Sequence, residues 1–406
     1  MNHKKILLSL IIIFVAIRSL HFTKALNFST DQGLFSSNAL AIYQKPKLLL
    51  IGPTFSVNLN GRYAYQGSVI YYFQLLFMML GRFDPVISSY LFMLFAAVSL
   101  VPLYIGVKLL AGSRAALLMA TVYTLLPYYI RYTRFFWNPN SQLVLSAWII
   151  LLIGLYKKYR TYKWLLVLTV AMGVVLQFHY QFLLVIAAVG ITVLVTNREK
   201  LKTFAVGMAG LMVGFSSLII FELRHNFYNL QTIWLFLKYR SSIGNNPTTT
   251  LADYYFLSLS LFALLGLVLI LKKIKWPVVY VVIGLLIWSL LVFVPQPTHG
   301  FRMANDWDYS SEAIVHELIM KEGLTDFNVV NLVYDTKAAT QKFLLKKDGI
   351  QINEEDYFQN AYLFVIGPPK TALSDPAYEV ATFKPALVLK RWRINQKFDL
   401  FLLKKD

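Results

Sequence analysis

The sequence predicts a polytopic α-helical membrane protein of about nine transmembrane helices, followed by a small C-terminal α/β soluble domain, and three observations predict it. Of its 406 residues, 57% are hydrophobic and only 15% are charged, which is far outside globular usage. Apolar runs long enough to cross a bilayer recur along the first 294 residues. The carboxylates are unevenly placed: Asp31, Asp84, Glu199, Glu222 and Asp253 precede Pro295, and the other fifteen of the 20 acidic residues follow it. The expected division is therefore a membrane domain over 1–294 and a soluble tail over 295–406.

Taken in order, the apolar runs cover roughly 6–22, 86–107, 115–131, 141–156, 164–178, 180–196, 203–222, 254–271 and 276–294. Their sides follow from the basic clusters Lys4-Lys5, Lys157 to Lys163, Arg198 to Lys202 and Lys272 to Lys275, which the positive-inside rule places in the cytoplasm. Parity then puts the loop 23–85, the loop 132–140, the tip 177–181, the loop 223–253 and the whole tail on the outer face. Residues 69–81 are apolar but too short to cross, so they are expected to form an interfacial or re-entrant helix, as part of an outer loop 23–85 that carries interfacial helices. The first run has a basic start, but His21-Phe22-Thr23-Lys24 follows it in place of a small-x-small cleavage site. An uncleaved first helix is expected. The tail reads as α/β, with a helix over 309–322 carrying Ile314, Leu318 and Ile319 on one face, a strand over 327–334, a helix over 336–347, and apolar runs at 361–366, 386–394 and 398–403. Gly367-Pro368-Pro369 marks a turn.

The formal charge of +19 resides mostly in short clusters between apolar runs, where basic residues orient a membrane protein, so nucleic acid is set aside as a partner. With no cysteine in the chain, thiol catalysis, disulfides and zinc-thiolate sites are excluded.

Scarcity makes the five early acids informative. Asp31, in Phe28-Ser29-Thr30-Asp31-Gln32-Gly33, stands just before a helical pattern at 34–43 and is either a helix N-cap or a functional carboxylate. Glu199 is expected to pair with lysine in its basic cluster, and Asp84 and Asp253 are expected to be structural. Glu222, in Phe221-Glu222-Leu223-Arg224-His225, closes the outer end of a span and is either paired with Arg224 or part of a site with Arg224 and His225. Among the outer cations, Arg134 and His179 occupy short loops rich in Trp, Tyr, Phe and Asn. They suit a phosphate or diphosphate headgroup.

These pieces carry a resemblance. An outer loop opening Phe28-x-x-Asp31-Gln32, then Leu50 to Ser56 and Gly67 to Tyr72, with Arg134 to Asn140, Gln177 to Tyr180 and Phe221 to Phe227, is similar to the GT-C superfamily of membrane glycosyltransferases. The similar branch is the bacterial one related to family 39, of protein mannosyltransferase and aminoarabinose transferase type. The resemblance spans about 230 residues of the membrane domain and implies inverting transfer of a sugar from a polyprenyl-phosphate donor to a glycan, lipid or protein acceptor, in cell envelope glycosylation at the outer face of the plasma membrane. It implies Asp31 as the general base. Two departures stand out. Asn138 takes the place where a second carboxylate is common, and Tyr65-Gln66-Gly67 replaces a Lys-Pro-Pro, leaving Arg62 as a substitute for the lysine. The outer face has too few acids for the multi-carboxylate metal site of oligosaccharyltransferases, so neither metal nor cofactor is expected. Asp306-Trp307-Asp308 resembles the Asp-x-Asp of nucleotide-sugar transferases, but a solvated linker is the expected reading. A transporter or flippase of lipid-linked sugars would show ionisable residues at mid-membrane, and a non-catalytic envelope assembly protein would not require Asp31.

Overall fold

The computed structural model describes residues 3–59, 61–239, 253–270, 276–293, 303–304, 306–352, 357–370 and 372–406. The basic cluster Lys272 to Lys275, together with Arg240, His299 and Arg302, lies outside the described residues. The chain divides into two compact units that do not follow chain order. The first comprises Met1–Arg18, Lys47–Phe73 and Phe92–Val294, and the second Ser19–Pro46, Gln74–Leu91 and Pro295–Asp406.

Among the described residues the first unit is helical apart from one hairpin and short turns. It contains α1 (His3–Ser19), the strands β1 (Ile51–Leu59) and β2 (Arg62–Gly67), and α5 (Leu100–Ala111), α6 (Ser113–Leu125), α7 (Pro127–Tyr132), α8 (Asn138–Tyr159) and α9 (Tyr162–Leu176). There follow α10 (Leu183–Thr196), α11 (Lys200–Gly214), α12 (Ser216–Arg224), α13 (Tyr228–Tyr239), α14 (Leu257–Ile270) and α15 (Trp276–Phe293). Each predicted apolar run is helical over most of its described residues. Among the described residues, Pro85–Ala111, Asn138–Tyr159 and Asp253–Ile270 are long and apolar enough to span a bilayer, with Lys200–Arg224 a fourth if its two halves, bent by 75°, count as one. The others are shorter or broken. Small residues allow close packing: a Cβ on Gly106 of α5 would stand 2.6 Å from the Leu151 backbone nitrogen of α8, so the two backbones touch without side chains between them.

The helix breaks have local causes. Pro127 has no N–H for the Tyr123 carbonyl and forces Leu126 into an extended conformation, at ψ 121°. The carbonyls stranded there are capped by Arg18, which is fully buried. Its Nη2 donates to the Tyr123 carbonyl at 3.2 Å, its Nη1 to the Thr124 carbonyl at 2.9 Å, and its Nε to Thr133 Oγ1 at 2.6 Å. In an apolar surround these bonds replace those that water cannot make.

The second unit holds α2 (Thr30–Gln44) and the tail, and α3 (Val69–Leu80) and α4 (Pro85–Val98) carry the chain between the units. At 12 residues α3 has the shortness expected of residues 69–81. The tail contains α16 (Tyr309–Glu322), β3 (Phe327–Asn331), α17 (Ala339–Lys347), β4 (Tyr362–Gly367), α18 (Tyr378–Ala381), β5 (Ala386–Arg393) and β6 (Asp399–Lys405). Its sheet runs in the order β3-β4-β6-β5, with β3 and β4 parallel and the remaining pairs antiparallel. Val329, Phe364, Ile366, Leu400 and Leu402 face one core and Val330, Leu363, Val365, Phe401 and Leu403 another. Burial of both faces explains why these strands read as continuous apolar runs.

Two tail expectations are corrected. Ile319 lies in the core and Leu318 packs against it as expected, but Ile314 is 44% exposed and fully buried Val315 takes its place on the core face. Asp306-Trp307-Asp308 is not a solvated linker: Trp307 is fully buried, and Asp308 caps α16 by accepting from the Ser311 backbone nitrogen at 3.0 Å.

Candidate active site

Within the first unit, β2 is bonded to the segments around Asn138 and Gln177 to Tyr180 and to Asn229 of α13. The Gly67 backbone nitrogen donates to the Gln177 carbonyl at 3.1 Å, and Tyr180 donates its hydroxyl to the Tyr65 carbonyl at 2.8 Å. The Tyr65 nitrogen donates to Asn229 Oδ1 at 2.9 Å. Buried Asn138, at the first turn of α8, donates to Gln66 Oε1, which links the 134–140 segment to the same strand. An aromatic row runs from that segment to His179: Trp137 to Tyr254 at 4.6 Å between ring centroids, Tyr254 to Tyr255 at 4.5 Å, and Tyr255 to His179 at 5.3 Å.

Arg134 is 5% exposed, in the turn between α7 and α8. Burial pushes its guanidinium down to about 10, so it remains a cation at neutral pH. His179 is placed by Gln142, whose Nε2 donates to its carbonyl at 2.8 Å. Its Nδ1 accepts from the Gln181 backbone nitrogen at 3.4 Å, which puts the proton of the neutral ring on Nε2. Burial pushes this imidazole down to about 4. At neutral pH it offers a hydrogen bond without a charge.

Arg62, Glu222, Arg224 and His225 gather around α12 and α13. Arg62 donates through Nε to Thr232 Oγ1 at 2.8 Å and through Nη2 to Gln231 Oε1 at 3.2 Å, with its guanidinium 4.4 Å from the Tyr228 ring centre. Glu222 accepts from the backbone nitrogens of Asn229 at 3.1 Å and Leu230 at 3.3 Å. It thereby caps the first turn of α13. His225 stacks on Phe221 at 4.3 Å, and Arg224 is exposed.

The other early acids have structural partners as expected. Glu199 pairs with Lys202 at 3.4 Å, Asp84 accepts from the Ile87 nitrogen at 2.8 Å, and Asp253 accepts from the Tyr132 hydroxyl at 2.7 Å. Asp31 belongs to the second unit. It is not the N-cap of its helix: Ser29 holds that position, and Gln32 Oε1 accepts from the Ser29 backbone nitrogen at 3.2 Å and hydroxyl at 3.0 Å. Asp31 stands in the first turn of α2, half-buried. Among the described residues no group of three or more His, Asp or Glu is placed to hold a metal ion.

Sequence reasoning missed Arg18 and Gln142. A lone arginine inside the apolar run 6–22 was the available signal for the first. A glutamine within an apolar helix was the signal for the second, and buried Gln142 also accepts from Ser258 Oγ at 2.9 Å.

No protein-family model matches the chain, and no curated protein does. Among solved structures it is similar to ArnT from Cupriavidus metallidurans in the apo state, at 10% identity and a TM-score of 0.52 over 97% of each chain. The same protein bound to undecaprenyl phosphate is matched at 12% identity and a TM-score of 0.54, over 98% of this chain and 97% of that one. The oligosaccharyltransferase AglB from Archaeoglobus fulgidus is matched at 12% identity and a TM-score of 0.40, over 85% of this chain and 46% of its own. The chain thus shares the fold of ArnT along nearly its whole length, tail included, and the resemblance to GT-C transferases holds at the level of fold.

Proposed function

We propose that this protein is a membrane glycosyltransferase that moves a sugar from a polyprenyl-phosphate donor to an acceptor hydroxyl of a glycan, lipid or protein. The observation that carries the reading is the likeness, over 98% of the chain, to an ArnT structure bound to undecaprenyl phosphate. Asp31 takes the acceptor proton as the acceptor oxygen bonds to the anomeric carbon. The bond from that carbon to the phosphate oxygen breaks with its electron pair, and polyprenyl phosphate leaves. Attack opposite to departure inverts the anomeric configuration. Arg134 meets the phosphate charge through a fork of N–H donors, and His179 adds a neutral donor through Nε2. Arg62 takes the place of the lysine that contacts the donor phosphate, and Glu222, Arg224 and His225 contribute to substrate binding, Glu222 through the α13 turn it caps. The nine-span topology, with the N-terminus inside and residues 295–406 outside the plasma membrane, belongs to the same reading.

The test is purified protein incubated with a panel of undecaprenyl-phosphate-linked sugars and mixed envelope acceptors. Donor consumption with release of undecaprenyl phosphate is the expected result. Movement of intact donor across proteoliposome membranes, with no sugar released from any donor, would replace this reading with the transporter one.

A further inference from the structure

The resemblance in sequence does not extend to the tail, yet the tail is what α2 is built on. Three observations within the second unit show it. First, Gly33 lies against the start of α17 with no room for a side chain: a Cβ there would stand 2.6 Å from the Ala339 carbonyl carbon and 2.7 Å from the Thr340 nitrogen. Both neighbours are backbone, so they cannot turn aside. Second, buried Thr340 donates its hydroxyl to the Phe28 carbonyl at 3.0 Å. Third, the Phe28 ring is buried against Tyr309 of α16 at 5.9 Å and Phe343 of α17 at 5.6 Å. These attachments bracket Asp31, three residues before it and two after.

The tail side of the contact is itself held. Asp335 Oδ2 accepts from the nitrogen of Ala339, the first residue of α17, at 3.0 Å. The Tyr334 hydroxyl lies 3.2 Å from Thr340 Oγ1 and 2.7 Å from Glu312 Oε1, and it ties this end of α17 to a carboxylate buried in the tail. On its other side α2 is held by Gln74, whose Nε2 donates to Ser36 Oγ at 2.7 Å.

We infer that the tail is a positioning element for the proposed base, with Thr340 and Gly33 as positioning residues that fix the first turn of α2 and hence the Asp31 carboxylate. The inference rests on the reading of Asp31 given above. A general base works only within hydrogen-bond reach of the proton it takes, and a misplacement on the order of 1 Å costs up to about a hundredfold in rate. Residues that act only through Asp31 should therefore affect turnover and leave donor binding alone.

The experiment compares Thr340→Val, which keeps the shape and removes the hydroxyl, with Thr340→Ser, which restores it, and with Gly33→Ala, all in the full-length protein. Two readouts are taken: kcat and KM with the undecaprenyl-phosphate sugar that turns over best, and amide hydrogen exchange. Thr340→Val and Gly33→Ala are expected to lower kcat roughly 10- to 100-fold at unchanged donor KM and to speed exchange over residues 28–36, with exchange in β4 and β6 unchanged. Thr340→Ser should recover both properties. In an Asp31→Asn background Thr340→Val should cause no further loss. Wild-type kcat and wild-type exchange in Thr340→Val would overturn the inference even where Asp31→Asn is inactive. Faster exchange together with full activity in Asp31→Asn would instead overturn the base assignment beneath it.

Discussion

The two units solve the burial of polar groups in opposite ways. In the first, buried polar side chains meet backbone carbonyls that helix breaks leave behind. Arg18 takes those of Tyr123 and Thr124 at the Pro127 break, Gln177 takes that of Gly214 at 2.7 Å where α11 bends into α12, and Gln142 takes that of His179 beyond the end of α9. In the second, buried carboxylates meet side-chain donors. Glu312 accepts from Trp307 Nε1 and the Tyr334 hydroxyl, both at 2.7 Å, and from Asn331 Nδ2 at 3.2 Å, while fully buried Asp399 is flanked by Arg391 and Arg393. Water is absent from lipid, so in a membrane unit each interrupted helix must find its partners within the protein. The α/β layer of the second unit instead holds its buried carboxylate with arginines that are about half exposed.

Removing a buried charge is the strongest way to break this contrast. Arg18→Leu leaves at least two carbonyls without donors in an apolar surround, and a loss on the order of 3 kcal/mol or more is expected. Arg391→Ala removes a half-exposed partner from Asp399 and leaves Arg393 in place, so a loss of about 1 kcal/mol or less is expected. Thermal unfolding in detergent checks both, and equal small losses would erase the distinction.

The second prediction separates a cation that binds substrate from one that only holds the fold. Arg134→Lys keeps the charge and loses the planar fork, so affinity for undecaprenyl phosphate should fall on the order of tenfold, with Arg134→Ala weaker again. Arg391→Ala should leave that affinity unchanged. Lipid-phosphate titration of the purified variants measures it, and wild-type affinity in Arg134→Ala would move the phosphate site elsewhere.

The smallest effect concerns pH. His179 is lowered from 6.5 to about 4 by burial, so the unfolded chain binds this proton first as pH falls. Stability from this site is complete above about pH 6.5 and is lost as pH drops toward 4. The melting temperature of the wild type should fall over that interval by a few °C more than that of His179→Gln. Parallel pH curves would show that the ring is not held neutral by burial.

Much of this was legible in the sequence because hydropathy is local. The apolar runs became helices, and the tail patterns at 309–322, 327–334 and 336–347 became α16, β3 and α17 within a few residues at their ends, apart from the strand, which stops at Asn331. The β1–β2 hairpin was missed although Asn60-Gly61 between two such segments is a strong turn signal. Gly61 adopts φ +84°, as such a turn requires. Asp31, one reading of which is the cap of α2, lies two positions past the actual cap Ser29, because Ser29, Thr30 and Asp31 are all good capping residues and only the structure shows which one takes the role. The assembly of 19–46 and 74–91 with the tail was not legible at all. It depends on the fit of Gly33 against Ala339 across some three hundred residues, which no local pattern carries.

Whether Asp31 takes the acceptor proton during glycosyl transfer is decided by single-turnover rates of wild type and Asp31→Asn, each saturated with the same undecaprenyl-phosphate sugar. Asparagine preserves the shape and removes the basicity. Unchanged donor affinity is expected, with a rate lower by a factor on the order of 10² to 10⁴. A wild-type rate in Asp31→Asn would contradict it and return Asp31 to a structural place in the first turn of α2.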